Sequence, residues 1–310
     1  MASAIEVQNL SKEYGPLRAV DGISFRVRAG EVFAFLGPNG AGKTTTVEIL
    51  EGLRRATSGS VSVLGLDPWS DAYRLHVRIG VIPQDFRFFE KITPREAVQY
   101  YGSLFHTNPD PDELLARVQL SDKARSRFDT LSGGQKQKLG LALALTNDPE
   151  TCFLDEPTTG LDPTARRAIW RVIRTLKSEG RTVFLTTHYL EEAEVLADQV
   201  AIIHHGRIIA AGTPSEIITA HGRPGRLRFQ ASPALADYLR ARLGLTVASA
   251  DGRVDVELRN KSDALRVLSA VEASGLPWQN FTTAQDTLED VFVRLVGEMD
   301  DGALKSEAVP

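Results

Sequence analysis

Short apolar runs alternate along this chain with longer stretches of helical spacing. Val32–Leu36 is continuously apolar and ends at Gly37, the pattern of a strand buried on both faces. Lys43–Leu53 follows with helical spacing, so strand, Gly-rich loop and helix come in that order. Ahead of them, Ala4–Leu10 alternates weakly and predicts an edge strand. Val20–Val27 predicts a second strand, with Gly30–Glu31 as its turn. Val61–Leu64 and Ile79–Pro83 read as short strands. Helices are expected over Arg95–Phe105, Pro111–Val118 and Gln135–Thr146, with Thr93 as N-cap of the first and Pro94 at its first position. Then come a buried strand at Thr151–Leu154, a helix at Ala165–Glu179 ended by Gly180, and a strand at Thr182–Thr186. A helix at Leu190–Ala197 and a strand at Val200–His204 follow. This alternation predicts an α/β core with a mostly parallel sheet.

The periodicity breaks at Ala220–Arg226, where Gly, Pro and Arg replace it, and this places a domain boundary between residues 1–222 and 226–297. Beyond it, Leu227–Ala231 reads as strand and Pro233–Leu243 as helix. Leu245–Ala248 and Val254–Leu258 form a hairpin across Asp251–Gly252. Ser262–Ala273 reads as helix, Gln279–Thr283 as strand and Thr287–Val296 as helix. The β-α-β-β-α-β order predicts a small ferredoxin-like α+β module with an extra helix. That helix carries an apolar face (Leu288, Val291, Phe292, Leu295, Val296) that packs internally or against another chain. Residues 300–310 are small, polar and acidic, and disorder is expected there.

Length and composition narrow the class. At 310 residues the chain has room for two domains. A net charge of −4 gives no general electrostatic footprint for nucleic acid, so no nucleic-acid partner is expected. No apolar run reaches the ~18–20 residues of a membrane-spanning helix. No basic region precedes an apolar stretch at the N-terminus, so no secretory signal is expected. The single cysteine, Cys152, excludes an intramolecular disulfide and a Cys-rich metal site. These features favour the cytoplasm and still allow docking onto a membrane protein.

The chemistry begins at Gly37-Pro38-Asn39-Gly40-Ala41-Gly42-Lys43-Thr44, which matches the phosphate-binding loop GxxxxGK[ST]. Its glycines let backbone N–H groups wrap around phosphates, and the helix that follows favours an anion at its start. Lys43 can reach the terminal phosphates, and the Thr44 hydroxyl can ligate Mg²⁺. Thr45 adjoins them as a further nucleotide-binding position. The strand Thr151–Leu154 then delivers Asp155 and Glu156 to the sheet's C-terminal edge, where open α/β sheets bind ligands. There Asp155 would hold Mg²⁺, and Glu156 would polarise an attacking water as general base. On its own, a strand ending in Asp-Glu is also a common surface feature. A third motif, Leu131-Ser132-Gly133-Gly134-Gln135, offers a hydroxyl donor and two glycines just before a helix start. A Gly-Gly loop that merely caps that helix would look the same.

With these motifs in order, the segment Ile5–Thr219 resembles the ATP-binding cassette (ABC) family. The resemblance implies a P-loop NTPase cassette with a mostly parallel sheet, an antiparallel β subdomain and a helical subdomain. It implies ATP and Mg²⁺ as cofactors and ATP hydrolysis as the activity. Ser132, Gly133, Gly134 and Gln135 would bind the γ-phosphate of ATP held on a second copy, in an ATP-sandwich dimer. Tyr14 would stack on adenine, Gln84 would sense Mg²⁺ and the attacking water, and His188 would contact the γ-phosphate. Asp162 matches the loop that contacts the partner subunit, and Asp162–Pro163 is equally a helix start.

The family's DNA-repair members interrupt the cassette with a long coiled coil. Gln84 and Leu131 lie too close in sequence for one. Ribosomal members carry two cassettes per chain, and this chain has one. What remains is the ATPase subunit of a transporter at the cytoplasmic face of a membrane, its permease a separate chain. DEPTTGLDPTARR, TTHYLEEAEVLAD and Thr287-Leu288-Glu289-Asp290-Val291-Phe292 resemble the drug and antibiotic exporter branch, similar to the daunorubicin/doxorubicin-resistance ATPases. That likeness implies a permease of the ABC-2 type. Gln135-Lys136-Gln137-Lys138 departs from the run usual in that branch. A lipid or polysaccharide exporter subunit and a soluble ABC regulator are the alternatives. The aromatic segment Phe86–Glu96 lies where the family's membrane partner inserts a coupling helix. His204 and His205, adjacent at a strand end, are expected to point to opposite faces and so to make a poor metal site. Lys136 and Lys138 are expected on a solvated helix face.

Overall fold

The apolar runs ahead of the Gly/Pro/Arg stretch become strands that share one core. In a computed structural model describing residues 2–84, 86–223 and 225–307, the chain divides into two units at Pro214/Ser215. The first opens on β1 (Ser3–Tyr14) and β2 (Leu17–Arg28), then β3 (Val32–Leu36), α1 (Lys43–Leu50), β4 (Ser58–Val63), α2 (Ala72–His76) and β5 (Ile79–Ile82). Three helices follow, α3 (Pro94–Leu104), α4 (Pro111–Arg117) and α5 (Gly133–Ala144). The unit then runs through β6 (Thr151–Asp155), α6 (Pro163–Ser178), β7 (Thr182–Thr187), α7 (Leu190–Leu196), β8 (Gln199–His204) and β9 (Arg207–Gly212).

One sheet is antiparallel, in the order β2-β1-β4. The other runs β5-β6-β7-β3-β8-β9 and is parallel except for β9. All of β3 and β6 is buried, as their unbroken apolar runs require. Phe25 of the antiparallel sheet stacks on Phe33 at 5.4 Å, and Phe33 stacks on Phe184 at 5.5 Å, which ties the two sheets into one core. Register then sets the site. Leu36 pairs with Thr187 and Asp155 with Thr186, so β3, β6 and β7 end side by side at one sheet edge.

The second unit holds α8 (Pro214–His221), β10 (Arg226–Ala231), α9 (Pro233–Leu243), β11 (Val247–Ala250), β12 (Arg253–Glu257), α10 (Lys261–Ala273), β13 (Trp278–Ala284) and α11 (Leu288–Glu307). Its antiparallel sheet has the order β11-β12-β10-β13, the arrangement expected of a ferredoxin-like βαββαβ module. Phe229, Leu235, Leu239, Val254 and Val267 form its own core. The division falls ahead of the Gly/Pro/Arg stretch, so α8 groups with this second unit. Leu288 and Val291 of the terminal helix are fully buried.

Several expectations need correction. β1 is the middle strand of its sheet and not an edge, because β4 pairs on its other side from Ile5 to Ser11. α1 stops at Leu50, with Glu51 as its C-cap, because Gly52 turns the chain at φ 75. α11 runs on to Glu307, and residues 308–310 lie outside those described. The rings of His204 and His205 lie 4.0 Å apart and not on opposite faces. His205 is a turn residue with φ 44, so strand alternation does not reach it. Lys136 and Lys138 are half-buried: Lys136 Nζ sits 5.1 Å from the Phe128 ring, and Lys138 Nζ donates to the Gln119 carbonyl at 3.3 Å.

Glu51 is a buried acid whose carboxyl accepts no hydrogen bond among the described residues. Glu51 is 5% exposed, and burial, reinforced by the nearby Asp155 and Glu48, pushes its carboxyl up to about 8. Between its ordinary 4.5 and 8, the folded chain keeps a proton that the unfolded chain has lost. Stability therefore falls as pH rises through that window and levels off above it. Glu51→Gln should remove the slope. Denaturant unfolding at about pH 5 and about pH 8 checks this, with the variant gaining on the parent by up to a few kcal/mol at the higher pH. Parallel pH curves for the two proteins would contradict it.

Candidate active site

Glu156 is the hub. It follows the last residue of β6 in a left-handed conformation (φ 48), which costs a non-glycine residue about 1–3 kcal/mol. Two hydrogen bonds from its amide hold it there, to the Thr186 carbonyl at 3.1 Å and the Thr186 hydroxyl at 3.0 Å. The turn aims the carboxylate back over the sheet edge. Glu156 Oε2 accepts from Gln84 Nε2 at 3.0 Å and from the Thr159 hydroxyl at 3.0 Å, and His188 Nδ1 lies 3.1 Å away. Oε1 faces Lys43 Nζ at 3.9 Å. Glu156 is 7% exposed and Lys43 6%, so this ion pair is little screened by water.

The phosphate loop supplies Lys43. Its ammonium donates to the Gly37 carbonyl at 2.8 Å and the Pro38 carbonyl at 3.2 Å. Burial pulls its pKa down, while Glu156 and Asp155 pull the other way. Gly42 caps α1 at φ 108, where a Cβ would stand 2.4 Å from the Ala19 carbonyl, so only glycine fits. Asn39, Gly40 and Thr44 of this loop are not buried, nor is Thr45 just beyond it. Asp155 lies at the end of β6, 8% exposed, with one oxygen hydrogen-bonded by the Thr186 hydroxyl. Burial is the chief reason its carboxyl is pushed up.

Lys43, Gln84, Asp155, Glu156 and His188 are thus brought together. Others are not. Ser132 caps α5 in a reciprocal box with Gln135: the Ser132 amide donates to Gln135 Oε1 at 2.9 Å, and the Gln135 amide to Ser132 Oγ at 3.4 Å. Among the described residues no hydrogen bond or ion pair joins Ser132–Gln135 to the phosphate loop of the same chain. The two glycines of that motif differ. A Cβ on Gly134 would come within 2.9 Å of Ala165 Cβ, a packing reason for glycine. A Cβ on Gly133 would meet nothing within 4 Å. Asp162 caps α6, accepting from the Thr164 and Ala165 amides at 2.9 Å each, so the helix-start reading holds. Tyr14 ends β1 at 38% exposure, with Lys12 Nζ 5.1 Å and Arg54 Cζ 5.3 Å from its ring.

A buried carboxylate and lysine over a phosphate loop form a hydrolytic site of the nucleotide-binding kind, and comparison with known proteins agrees. A family model described as ABC transporter matches residues 20–159. The chain is 38% identical to "Daunorubicin resistance ATP-binding protein DrrA3" of Streptomyces coeruleorubidus, covering 99% of each chain. This chain belongs to the ABC transporter family. It is also 38% identical to "Nod factor export ATP-binding protein I" of Ralstonia nicotianae, over 96% of this chain and 95% of that one. A solved structure described as "Structure of ATP binding subunit of ABC transporter" is 30% identical with a TM-score of 0.64, covering 70% of this chain and 92% of its own. As an ABC ATP-binding subunit, akin to those named for resistance and export, the chain binds and hydrolyses ATP.

Thr159 and Thr186 were not singled out from the sequence, though both sit beside acids or His188 in the runs Glu156-Pro157-Thr158-Thr159 and Thr186-Thr187-His188. Thr186 positions both carboxylates at once. Thr186→Val should lower ATP turnover about 10- to 100-fold, the usual cost of losing a residue that orients such groups, while nucleotide affinity changes little. Steady-state kinetics beside equilibrium binding of a fluorescent nucleotide read the two separately. Unchanged turnover would remove Thr186 from the site.

Proposed function

We propose that this chain is the ATP-hydrolysing subunit of an exporter, and that two copies close around two ATP to drive a drug-like or antibiotic compound through a separate permease of the ABC-2 type. The observation that carries the catalytic part is the Glu156 carboxylate. Its Oε2 is saturated by Gln84, Thr159 and His188, which leaves Oε1, beside Lys43, as the oxygen able to take a proton from an attacking water. Lys43 holds the terminal phosphates, and His188 and Gln84 face the same point. Thr44, Asp155 and Gln84 bring a hydroxyl, a carboxylate and an amide oxygen, the hard donors that suit Mg²⁺. When bound, Mg²⁺ neutralises phosphate charge. The half-exposed ring of Tyr14 takes the adenine.

The dimer reading rests on Ser132 and Gly133. Both are exposed, Gly133 has open space beyond it, and among the described residues the motif makes no bond to its own phosphate loop. A second copy laid across this face would put those N–H and hydroxyl donors on its ATP. The export reading rests on the names of the relatives, and so does the placement of the chain at the cytoplasmic face of a membrane. No helix among the described residues is long and apolar enough to cross a membrane, so the path for the substrate belongs to another chain. The relative named for Nod factor export matches at the same 38% identity as the one named for daunorubicin resistance, so export of a Nod-factor-like compound has support of the same kind. Residues 226–297 act as an accessory module outside the chemistry.

Glu156→Gln keeps the shape of the side chain and loses the base. It should bind ATP with Mg²⁺ normally, release no phosphate, and accumulate as a dimer on size exclusion with light scattering. Lys43→Ala should lose both tight binding and turnover. Normal hydrolysis by the Glu156 variant would sink its role as base, and a variant that stays monomeric at saturating ATP would sink the dimer.

A further inference from the structure

Glu192 is a buried acid that the chemistry above does not use. It stands in the first turn of α7, fully buried, and the threonines beside it, Thr158 and Thr187, are fully buried too. One carboxylate oxygen accepts from Trp170 Nε1 at 2.8 Å, and the other from the Thr158 hydroxyl at 3.2 Å. The Thr187 hydroxyl donates a third hydrogen bond. Three donors thus converge on a group that, ionised, only accepts. They come from three places. Trp170 lies on α6, which starts just past Asp162. Thr158 lies in the loop after Glu156. Thr187 ends β7, immediately before His188.

Glu156 needs no help from this acid, because two hydrogen bonds from its own amide hold it. His188 is placed differently. Its side chain is 41% exposed, and it stands between the end of β7 and the start of α7. Helix α7 has seven residues, and its N-cap, Tyr189, offers no side-chain hydrogen bond, so nothing local holds the first turn. Glu192 supplies the hold. The Tyr189 amide donates to Thr187 Oγ1 at 2.9 Å, and that same hydroxyl donates to Glu192. The two residues flanking His188 are therefore joined to each other and anchored to one buried carboxylate. The Tyr189 ring lies 4.2 Å from the His188 ring and 4.2 Å from Arg166 Cζ, so α6 bears on the same turn a second time. Desolvating a carboxylate is costly, and its hydrogen bonds do little more than offset that cost. What this acid adds is direction more than stability.

We propose that Glu192 is a positioning residue for hydrolysis, fixing the turn at residues 187–189 so that His188 Nδ1 stays 3.1 Å from Glu156 with its ring over the phosphate site. The proposal rests on the reading of His188 as a contact of the γ-phosphate and adds what holds it there. Glu192 touches neither nucleotide nor water. It acts through Thr187, and its effect belongs to the chemical step and not to ATP affinity.

The test uses the full chain and Glu192→Gln, which keeps the shape of the side chain. Indole Nε1 only donates, so the new amide oxygen goes to Trp170 and the NH₂ group turns to the threonines, where Thr187 loses its acceptor. Turnover should fall about tenfold or more, with KM for ATP unchanged within about twofold. Trp170→Phe cuts the α6 side of the same carboxylate and leaves both threonine bonds, so it should stay within about threefold of the parent. Histidine ring NMR gives the second readout. Of the six histidines, the His188 signal, assigned by its loss in His188→Gln, should shift or broaden in Glu192→Gln while the others stay in place. Thr187→Val cuts the same link from its other end and should repeat both results, which keeps the test open if Glu192→Gln does not fold. Equal losses in Glu192→Gln and Trp170→Phe, a change in KM alone, or an unmoved His188 signal would overturn the proposal. Parent-like turnover in His188→Gln would instead sink the reading of His188 itself, and it is seen in that variant alone.

Discussion

The structure turns on one carboxylate held where carboxylates do not ordinarily sit. Glu156 is buried at the end of a parallel strand, 3.9 Å from a lysine that is equally buried. Desolvating two charges costs several kcal/mol each, and the pair survives only because its remaining hydrogen-bonding capacity is met. The protein meets it with Gln84, Thr159 and His188 around the carboxylate and two loop carbonyls on the ammonium, while Thr186 holds the Glu156 backbone amide. The strained φ of Glu156 belongs to the same constraint: without it the side chain would leave the ring of donors.

That constraint explains the investment in the core beneath. Phe25, Phe33, Phe35, Phe153 and Phe184 lock the antiparallel sheet onto the parallel one. Register along β3, β6 and β7 then converts rigid packing into position, because a slip in pairing would separate Asp155 from Thr186. Helix α7, just past His188, is pinned from below by Glu192, which accepts from Trp170 Nε1 at 2.8 Å and from the Thr158 hydroxyl at 3.2 Å. The loop after Glu156 and the one after His188 are therefore tied through one buried acid. Burial pushes that acid up against the pull of its hydrogen bonds.

Much of this was legible in the sequence, for physical reasons. Runs such as Val32–Leu36 fit only a doubly covered strand, and a loop of the form GxxxxGK[ST] constrains its neighbours to strand and helix. What escaped was set by tertiary contact or by single backbone angles. β1 reads as an edge strand because weak alternation does not say what pairs beyond it. His205 breaks strand alternation through one positive φ. Thr159 and Thr186 are ordinary threonines until the fold sets their hydroxyls against Glu156 and Asp155. Glu51 reads as one more polar residue at a helix end, and only the walls around it reveal that among the described residues its carboxyl has no hydrogen-bond partner.

The central claim is that each hydrolytic site is finished by Ser132–Gln135 of a second copy. Complementation tests it most directly. Lys43→Ala leaves Ser132 intact, and Ser132→Arg leaves Lys43 intact, so each variant alone lacks one half of every site. Mixed in equal amounts, they should recover about a quarter of wild-type turnover, since random pairing makes about half the dimers mixed and each of those holds one intact site. A mixture no more active than the two variants measured separately would contradict the account.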